Sequence, residues 1–488
     1  MVEEGGFETG AARPPQPTSQ RLSRNPRSPD STALCVDFGS TFTKASLVDL
    51  AEGRIVVSAS HPTTIATDLL DGYAACRDTL VSQDARAGTA AVLACSSAGG
   101  GLRIAVVGNE ELVTAEAGRR VALSSGGKVV AVHSLASRAP ESALQRTLRG
   151  TAPDVVLLTG GTDGGNAESL VEGARGLVGA GWTGPVVVAG SADAREEVGS
   201  LLADGGAPYV LADNVVPQIG VLAPESARAA IREMFLAHVI GGKHLSASDD
   251  FRAMVRGATP DVVLAGVELL ARGLDDDRPG AGDVAVVDVG GATTDVHSVV
   301  ALDPEEAGLS REVVAVTPVT RTVEGDLGMR WSALSTVEAA GLHDLAAEAS
   351  RRKDQPGYLP EDARQADVDE QIARAAVDLA LRRHAGRSRV VVSPEGRVVE
   401  RSGKDLREID LLIGSGGVLR NGRPGVADRV LAGSVGPDVE GGWQLPRAPR
   451  VVVDHDYALC AIGLLAEPDP EAAYALSRRL AEPILSGK

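Results

Sequence analysis

The chain has 488 residues, 43% hydrophobic and 23% charged, with a formal net charge of −18 at pH 7. That length exceeds what one hydrophobic core serves and predicts two or three domains. The acid excess argues against sequence-independent binding of nucleic acid, which needs a basic face.

Residues 1–30 carry Arg13, Arg21, Arg24 and Arg27 among Pro, Ser and Gln with no apolar segment, which predicts a disordered tail. No apolar run approaches the ~20 residues of a membrane span. The four cysteines (Cys35, Cys76, Cys95, Cys460) form no CxxC pair and the eight histidines no HxxxH spacing. A reducing cytoplasm without a zinc or disulfide framework is therefore expected.

Leu34–Leu50 (LCVDFGSTFTKASLVDL) reads as a β-hairpin whose turn holds an acid, two hydroxyls and a lysine. Such a turn can offer backbone N–H groups and a cation to phosphate while the acid faces a metal ion. Arg54–Ser60 predicts a third strand and Leu69–Val81 a helix. Ala91–Ser96 and Leu102–Val107 read as strands around a glycine-rich tight turn.

From about 110 to 220, short unalternated apolar runs alternate with ~12-residue helical stretches, the signature of βαβ units on a buried parallel sheet. This predicts an inserted Rossmann- or flavodoxin-like layer. Its loop Thr159–Asn166 (TGGTDGGN) follows a strand. A binding or docking loop and a plain strand-to-helix turn capped by Asp163 or Asn166 fit it equally.

Pro224–Ile240 predicts a helix packed through Met234, Phe235, Leu236 and Val239. Thr259 reads as an N-cap before Pro260 at the first position of a helix ending near Arg272. Directly after a polar linker comes a second acid-glycine-hydroxyl hairpin, Val284–Val296 (VAVVDVGGATTDV). Val323–Ala333 is a charged loop around Trp331. Arg351–Asp369, charged and interrupted by proline, is expected to be exposed. Asp369–Arg383 fits an amphipathic helix and Arg389–Glu400 a hairpin. Ile409–Asn421 is a strand running into Gly-Ser-Gly-Gly. In Arg450–Ala466 a strand and an acidic turn lead to a helix whose Ala458, Ala461 and Gly463 permit close helix approach.

With 57 glycines in the chain, well above the usual ~7%, short glycine motifs arise by chance, so order and spacing carry the weight. Two hairpins ~250 residues apart and a strand–diglycine ~120 further on resemble the phosphate-1, phosphate-2 and adenosine motifs of the actin, sugar-kinase and heat-shock-chaperone ATPase superfamily. The resemblance implies an α/β protein of two RNase-H-like (actin-like ATPase) halves with ATP in the cleft between them. The halves would span 31–109 and 281–488, joined by connecting helices at 221–280, with 110–220 as an added layer. In such a cleft Asp37 and Asp288 would hold hydrated Mg²⁺, which keeps several of its waters. Gly39, Ser40 and Thr41, with Gly290, Gly291 and Thr293, would wrap the β- and γ-phosphates, and Lys44 would add a cation. Asp295 would orient attacking water or bind the metal through water. Gly414, Ser415, Gly416 and Gly417 would lie against adenine and ribose.

The strings DFGSTFTKASLVD, ACSSAGGGL, VLLTGGTDGGN, DNVVP, VEGDLGMRWSA and DVGGATTDVHS also resemble the MutL-type accessory proteins of glutamate mutase. That resemblance covers nearly the whole chain after the tail. It implies a partner role beside an adenosylcobalamin-dependent mutase, with ATP used to release damaged cobalamin from mutase subunits, and it allows an oligomer. A small-molecule kinase using the same cleft is the alternative, although no acceptor-binding motif is visible. An iron–sulfur activator ranks lower, because Cys95 has no nearby partner cysteine in the sequence.

Overall fold

Three five-stranded sheets organise the chain. The computed structural model describes residues 31–110, 113–137, 141–240, 245–246, 248–301, 317–393, 396–436 and 442–482, so the expected tail at 1–30 lies outside the described residues. The first sheet begins with β1 (Thr32–Phe38), β2 (Phe42–Asp49), β3 (Arg54–Pro62) and β4 (Ala91–Ser96). The middle sheet follows with β5 (Arg103–Gly108), β6 (Lys128–Ser134), β7 (Val155–Leu158), β8 (Val186–Val188) and β9 (Tyr209–Leu211). The chain then returns to the first sheet with β10 (Val255–Ala258) and makes a short ribbon, β11 (Gly273–Asp275) with β12 (Arg278–Pro279). The last sheet uses β13 (Val284–Val289), β14 (Thr294–Val299) and β15 (Val319–Glu324). An antiparallel hairpin, β16 (Arg387–Ser393) with β17 (Gly396–Ser402), comes next. Strands β18 (Leu411–Ser415) and β19 (Arg450–Val453) complete the last sheet.

The first and last sheets repeat one plan. Their orders are β3-β2-β1-β4-β10 and β15-β14-β13-β18-β19. In each, three antiparallel strands are extended beyond the first strand by two parallel ones. That duplicated strand order is the pair of RNase-H-like halves expected from the motifs. The middle sheet is wholly parallel in the order β6-β5-β7-β8-β9, the flavodoxin-like order. Ala91–Ser96 and Leu102–Val107 are both strands, as expected, but they do not share a sheet. Both edges of β4 are taken, by β1 and β10, so β5 pairs with β6 and β7 instead.

Alternation along the strands decides which residues meet. In β1, Leu34, Val36 and Phe38 enter a core shared with Ile104, Val106 and Leu157 of the middle sheet. Ala33 and Cys35 point the other way, into a core shared with Val284 and Val286 of β13 and Leu411 and Ile413 of β18. Side chains in a strand alternate with period two. Asp37 is therefore on the Ala33–Cys35 face, Asp288 on the Val284–Val286 face and Ser415 on the Leu411–Ile413 face. All three face the space between the halves.

Two helices fill that space further back. Helix α2 (Thr259–Arg272) and helix α4 (Ala458–Leu465) supply Val263, Val267, Leu459 and Ile462 to the same core; α1 (Thr114–Ser124) and α3 (Ala363–His384) lie on the middle and last sheets. The expected close approach of the small-residue helix is present, since a Cβ built on Gly463 would lie 1.9 Å from Val262 O.

The expected exposure of Arg351–Asp369 holds only in part. Arg352 has no exposed surface and lies beneath α3, where its Nε donates to Asp369 Oδ1 at 2.5 Å and its Nη1 to Glu348 Oε2 at 3.0 Å. Charge count alone misreads such a segment, because an arginine can be buried when carboxylates and carbonyls meet its donors.

Candidate functional site

The two hairpin turns have the same construction. Gly39 N–H donates to Phe42 O at 3.2 Å and Gly290 N–H to Thr293 O at 2.9 Å. A Cβ at either glycine would lie 2.6 Å from Phe42 O or 2.8 Å from Thr293 O, so only glycine fits without a shift. Ser40 and Thr41 fill the remaining positions of the first turn and Gly291 and Ala292 those of the second, leaving one turn from each half. A Cβ built on Gly291 would be 3.7 Å from Thr41 Oγ1, so the turns approach one another directly.

The register then sets the charges. Asp37 pairs across its hairpin with Lys44, whereas Asp288 pairs across its own with Asp295. The first jaw thus carries a carboxylate–ammonium pair, with Lys44 Nζ 3.6 Å from Asp37 Oδ2. The second carries two acids side by side. Burial pushes the Asp288 carboxyl up from an ordinary 3.8 to about 6; Lys44 opposes the shift, while Asp295, Asp37 and Asp454 add to it. Like charges gathered in this way suit a cation that would relieve them.

An acid whose pKa is raised by folding binds its proton more tightly in the folded state. Its stabilising contribution is complete below about pH 4 and is lost as pH rises through 6. Relative to an Asp288→Asn variant, the metal-free protein is expected to lose about 1–3 kcal/mol of stability between pH 4 and 7. Urea titrations across that range measure it.

Asp37, 3% exposed, is held by groups far away in sequence. Thr259 Oγ1 donates to its Oδ1 at 2.6 Å, and Tyr457 O–H to its Oδ2 at 3.1 Å. The Cys95 thiol lies 3.6 Å from Oδ1 and 3.4 Å from Cys460 Sγ. Lys44 Nζ also sits 3.5 Å from the centre of the Tyr457 ring, a cation–π contact. Tyr457 adopts a left-handed backbone (φ 59°) at the start of α4, which aims its ring at the hairpin. Thr259 does not act as the expected N-cap. Ala258 occupies that position without a side-chain bond, and the Thr259 hydroxyl is spent on Asp37 instead.

Asp295 accepts from Thr293 Oγ1 at 3.1 Å and from Arg321 Nε at 3.0 Å. The charged loop 323–333 clamps the second turn through backbone: Met329 N–H donates to Gly290 O and Arg330 N–H to Gly291 O, at 2.9 and 2.8 Å.

The strand–diglycine is also beside these turns. Ser415 is in register with Asp288. Gly416 (φ 108°) is pressed on β13 so that a Cβ would lie 2.3 Å from Val289 O, whereas one on Gly417 would meet open space. Gly414 O accepts from Asp454 N–H at 2.9 Å, and the Asp454 carboxylate caps α4 through Ala458 N–H and Leu459 N–H. Gly416→Ala is expected to cost about 2–4 kcal/mol, from left-handed strain plus a backbone clash. Thermal unfolding of the variant measures it, with Gly417→Ala as the mild control.

The expected residues Asp37, Gly39, Ser40, Thr41, Lys44, Asp288, Gly290, Gly291, Thr293, Asp295, Gly414, Ser415, Gly416 and Gly417 therefore lie on three turns and the strand ends beside them, around one space. Sequence reasoning missed Thr259, Tyr457, Arg321 and Asp454. Of these only the Thr-Pro pair and the Asp-His-Asp-Tyr turn carried any local signal. The loop 159–166 is knitted to its neighbours: Asp163 Oδ1 accepts from Ala192 N–H and from Asn214 Nδ2, both at 2.9 Å. The expected cap is met by Asn166, whose Oδ1 accepts from Ser169 N–H at 3.4 Å at the start of the next helix, whereas Asp163 is turned to Ala192 and Asn214.

The family model described as MutL protein matches residues 33–480. The chain belongs to the MutL protein family. Protein MutL of Clostridium tetanomorphum is 36% identical over 463 residues, covering 91% of this chain and 98% of that one. Among solved structures, the ethanolamine utilization protein EutJ from Carboxydothermus hydrogenoformans overlays with a TM-score of 0.29 at 11% identity, covering 93% of this chain and 92% of that one. Xylulose kinase from Bifidobacterium adolescentis overlays with a TM-score of 0.30 at 12% identity, covering 93% and 94%. Overlays this loose add nothing to the fold, which rests on the duplicated strand order. The resemblance to MutL-type proteins expected from the motifs is thus the family found. Among the described residues no helix is long and apolar enough to cross a membrane.

Proposed function

We propose that this MutL-family chain binds ATP with Mg²⁺ between its two halves and hydrolyses it. The carrying observation is the pair of like-built glycine turns, one from each half, flanking Asp37 and Asp288. The residues fit the group. Asp288 and Asp295 form a like-charge pair that a cation would relieve, and the glycine turns leave backbone N–H groups for phosphate oxygens. Asp37, Asp288 and, through water, Asp295 would hold the ion, which when bound would offset phosphate charge. Lys44 is close enough to Asp37 to exchange that partner for a phosphate oxygen. Asp295, fixed by Arg321 and Thr293, would orient the attacking water and take up its proton. Gly416 and Gly417 would lie along the nucleoside.

The wider role proposed is that of an accessory protein to an adenosylcobalamin-dependent mutase of the glutamate mutase kind, using ATP to free it of damaged cobalamin. Support comes from family membership, together with a flavodoxin-like layer packed on the first half. The test is to add the purified protein and Mg-ATP to such a mutase after inactivation by turnover. Recovery of activity that requires ATP is expected. No recovery and no association with any such mutase would defeat the wider role. ADP release that appears only with a small-molecule acceptor would favour the kinase reading.

A further inference from the structure

The end of α1 and the turn after it lie where the middle sheet meets both jaws. On one side is Arg321 of β15, only 4% exposed. Besides holding Asp295, it donates through Nη1 to Leu123 O at 3.1 Å and to Gly127 O at 3.3 Å. Leu123 O belongs to the last turn of α1, the negative end of the helix dipole, where a cation is favoured, and Gly127 O follows in the turn that leads to β6. On the other side Gly126 (φ 81°) is pressed on the first turn of α2, so closely that a Cβ built there would lie 2.6 Å from Asp261 N. Asp261 is anchored by Arg232 Nε at 2.6 Å. It is two residues from Thr259, whose hydroxyl holds Asp37. One turn of backbone therefore touches the second jaw's acid through Arg321 and the first jaw's acid through α2. Strand β6, the outer strand of the middle sheet, starts at Lys128, directly after this turn.

Resting on the reading of the cleft as a Mg-ATP site, we propose that the turn Leu123–Gly127 reports nucleotide occupancy to the middle sheet, with Arg321 as the positioning residue that carries the signal from Asp295. The physical basis is charge sharing. Arg321 divides one buried positive charge between the Asp295 carboxylate and two carbonyl oxygens. When bound Mg-ATP draws on Asp295, the guanidinium shifts its weight to Leu123 O and Gly127 O, and the end of α1 tightens. Coupling of this kind needs a contact whose strength differs between the two states, and a buried, shared charge provides one. Lysine cannot replace the arginine, because one ammonium lacks the planar fork that spans both sets of acceptors.

The test is amide hydrogen exchange with and without saturating Mg-ATP, paired with a calorimetric titration that reports binding separately. In the wild type, amides of 121–134 are expected to exchange about threefold more slowly, or slower still, once nucleotide is bound. In Arg321→Met and Arg321→Lys at saturating nucleotide, that slowing should fall by more than half. Circular dichroism establishes that each variant is folded, and Arg321→Lys serves if the methionine variant does not fold. Binding in the titration with unchanged exchange over 121–134 would overturn the coupling while leaving the nucleotide site standing. So would variants that respond as fully as the wild type. Absence of binding heat in the wild type would instead overturn the nucleotide site, and the coupling with it.

Discussion

Asp37→Asn is expected to lower ATP turnover by about a hundredfold or more while changing the melting temperature little. The substitution keeps the shape of the side chain and removes its charge, so a metal ion loses a ligand and Lys44 loses its partner. Losses of that size are typical when one pre-positioned electrostatic group is removed from a closed site. Asparagine is the sharper choice than alanine here. Asp37→Ala would strand the Thr259 and Tyr457 hydroxyls that now donate to the carboxylate, and each stranded polar group costs about 1–3 kcal/mol. A turnover defect in the alanine variant would then mix chemistry with lost packing. The asparagine Oδ1 can still accept one of those bonds. Steady-state ATPase assays with a parallel thermal melt separate the two effects, and undiminished turnover in a folded Asp37→Asn protein would contradict the site.

Arg352→Ala is expected to destabilise the protein by about 3–5 kcal/mol, the range for breaking a buried ion pair from one side. Arg352 has no exposed surface and donates to Asp369, to the Glu348 carboxylate and carbonyl, and to Gln365 O. Its removal leaves Asp369 with Arg330, at 3.2 Å. Arg330 N–H in turn fastens Gly291 of the second turn, so the loss should reach the cleft as well. The double variant Arg352→Met/Asp369→Leu removes the buried pair but leaves Arg330 without its carboxylate, so it should recover part of the stability. Urea unfolding of the three proteins measures this. Equal losses in the single and double variants would mean that packing, not charge, sets the cost.

How much of this was legible in the sequence depends on the range of the interaction. The hairpins at Asp37–Lys44 and Asp288–Asp295, the parallel layer and the close-packed helix at Gly463 follow from local rules: turn residues, apolar runs and small side chains at helical spacing. The inward facing of Asp37 and Asp288 also follows from period-two alternation, once the strands are placed. What stayed hidden depends on contacts between distant segments. Tyr457 reaches Asp37 across 420 positions and Thr259 across 222, and no local pattern marks either as a partner. Thr259 before Pro260 fits an N-cap by residue type, yet its hydroxyl has a better acceptor in a buried carboxylate. Arg352 illustrates the same limit, because charge predicts solvent unless the buried counter-ion is known.

The difference between the jaws was readable but easily passed over. Lys44 and Asp295 occupy equivalent positions in the two hairpins, and the pairing register makes one jaw a salt bridge and the other an acid pair. On the proposed Mg-ATP reading, that asymmetry would give phosphate a cation on one side and the metal a carboxylate pair on the other.

The central claim is that two jaws make one Mg-nucleotide site, and calorimetric titration of ATP with and without Mg²⁺ tests it most directly. One binding event per chain is expected, dependent on Mg²⁺, and abolished equally by Asp37→Asn in the first half or Asp288→Asn in the second. Binding that survives either substitution in a folded protein, or no Mg-dependent binding at all, would contradict it.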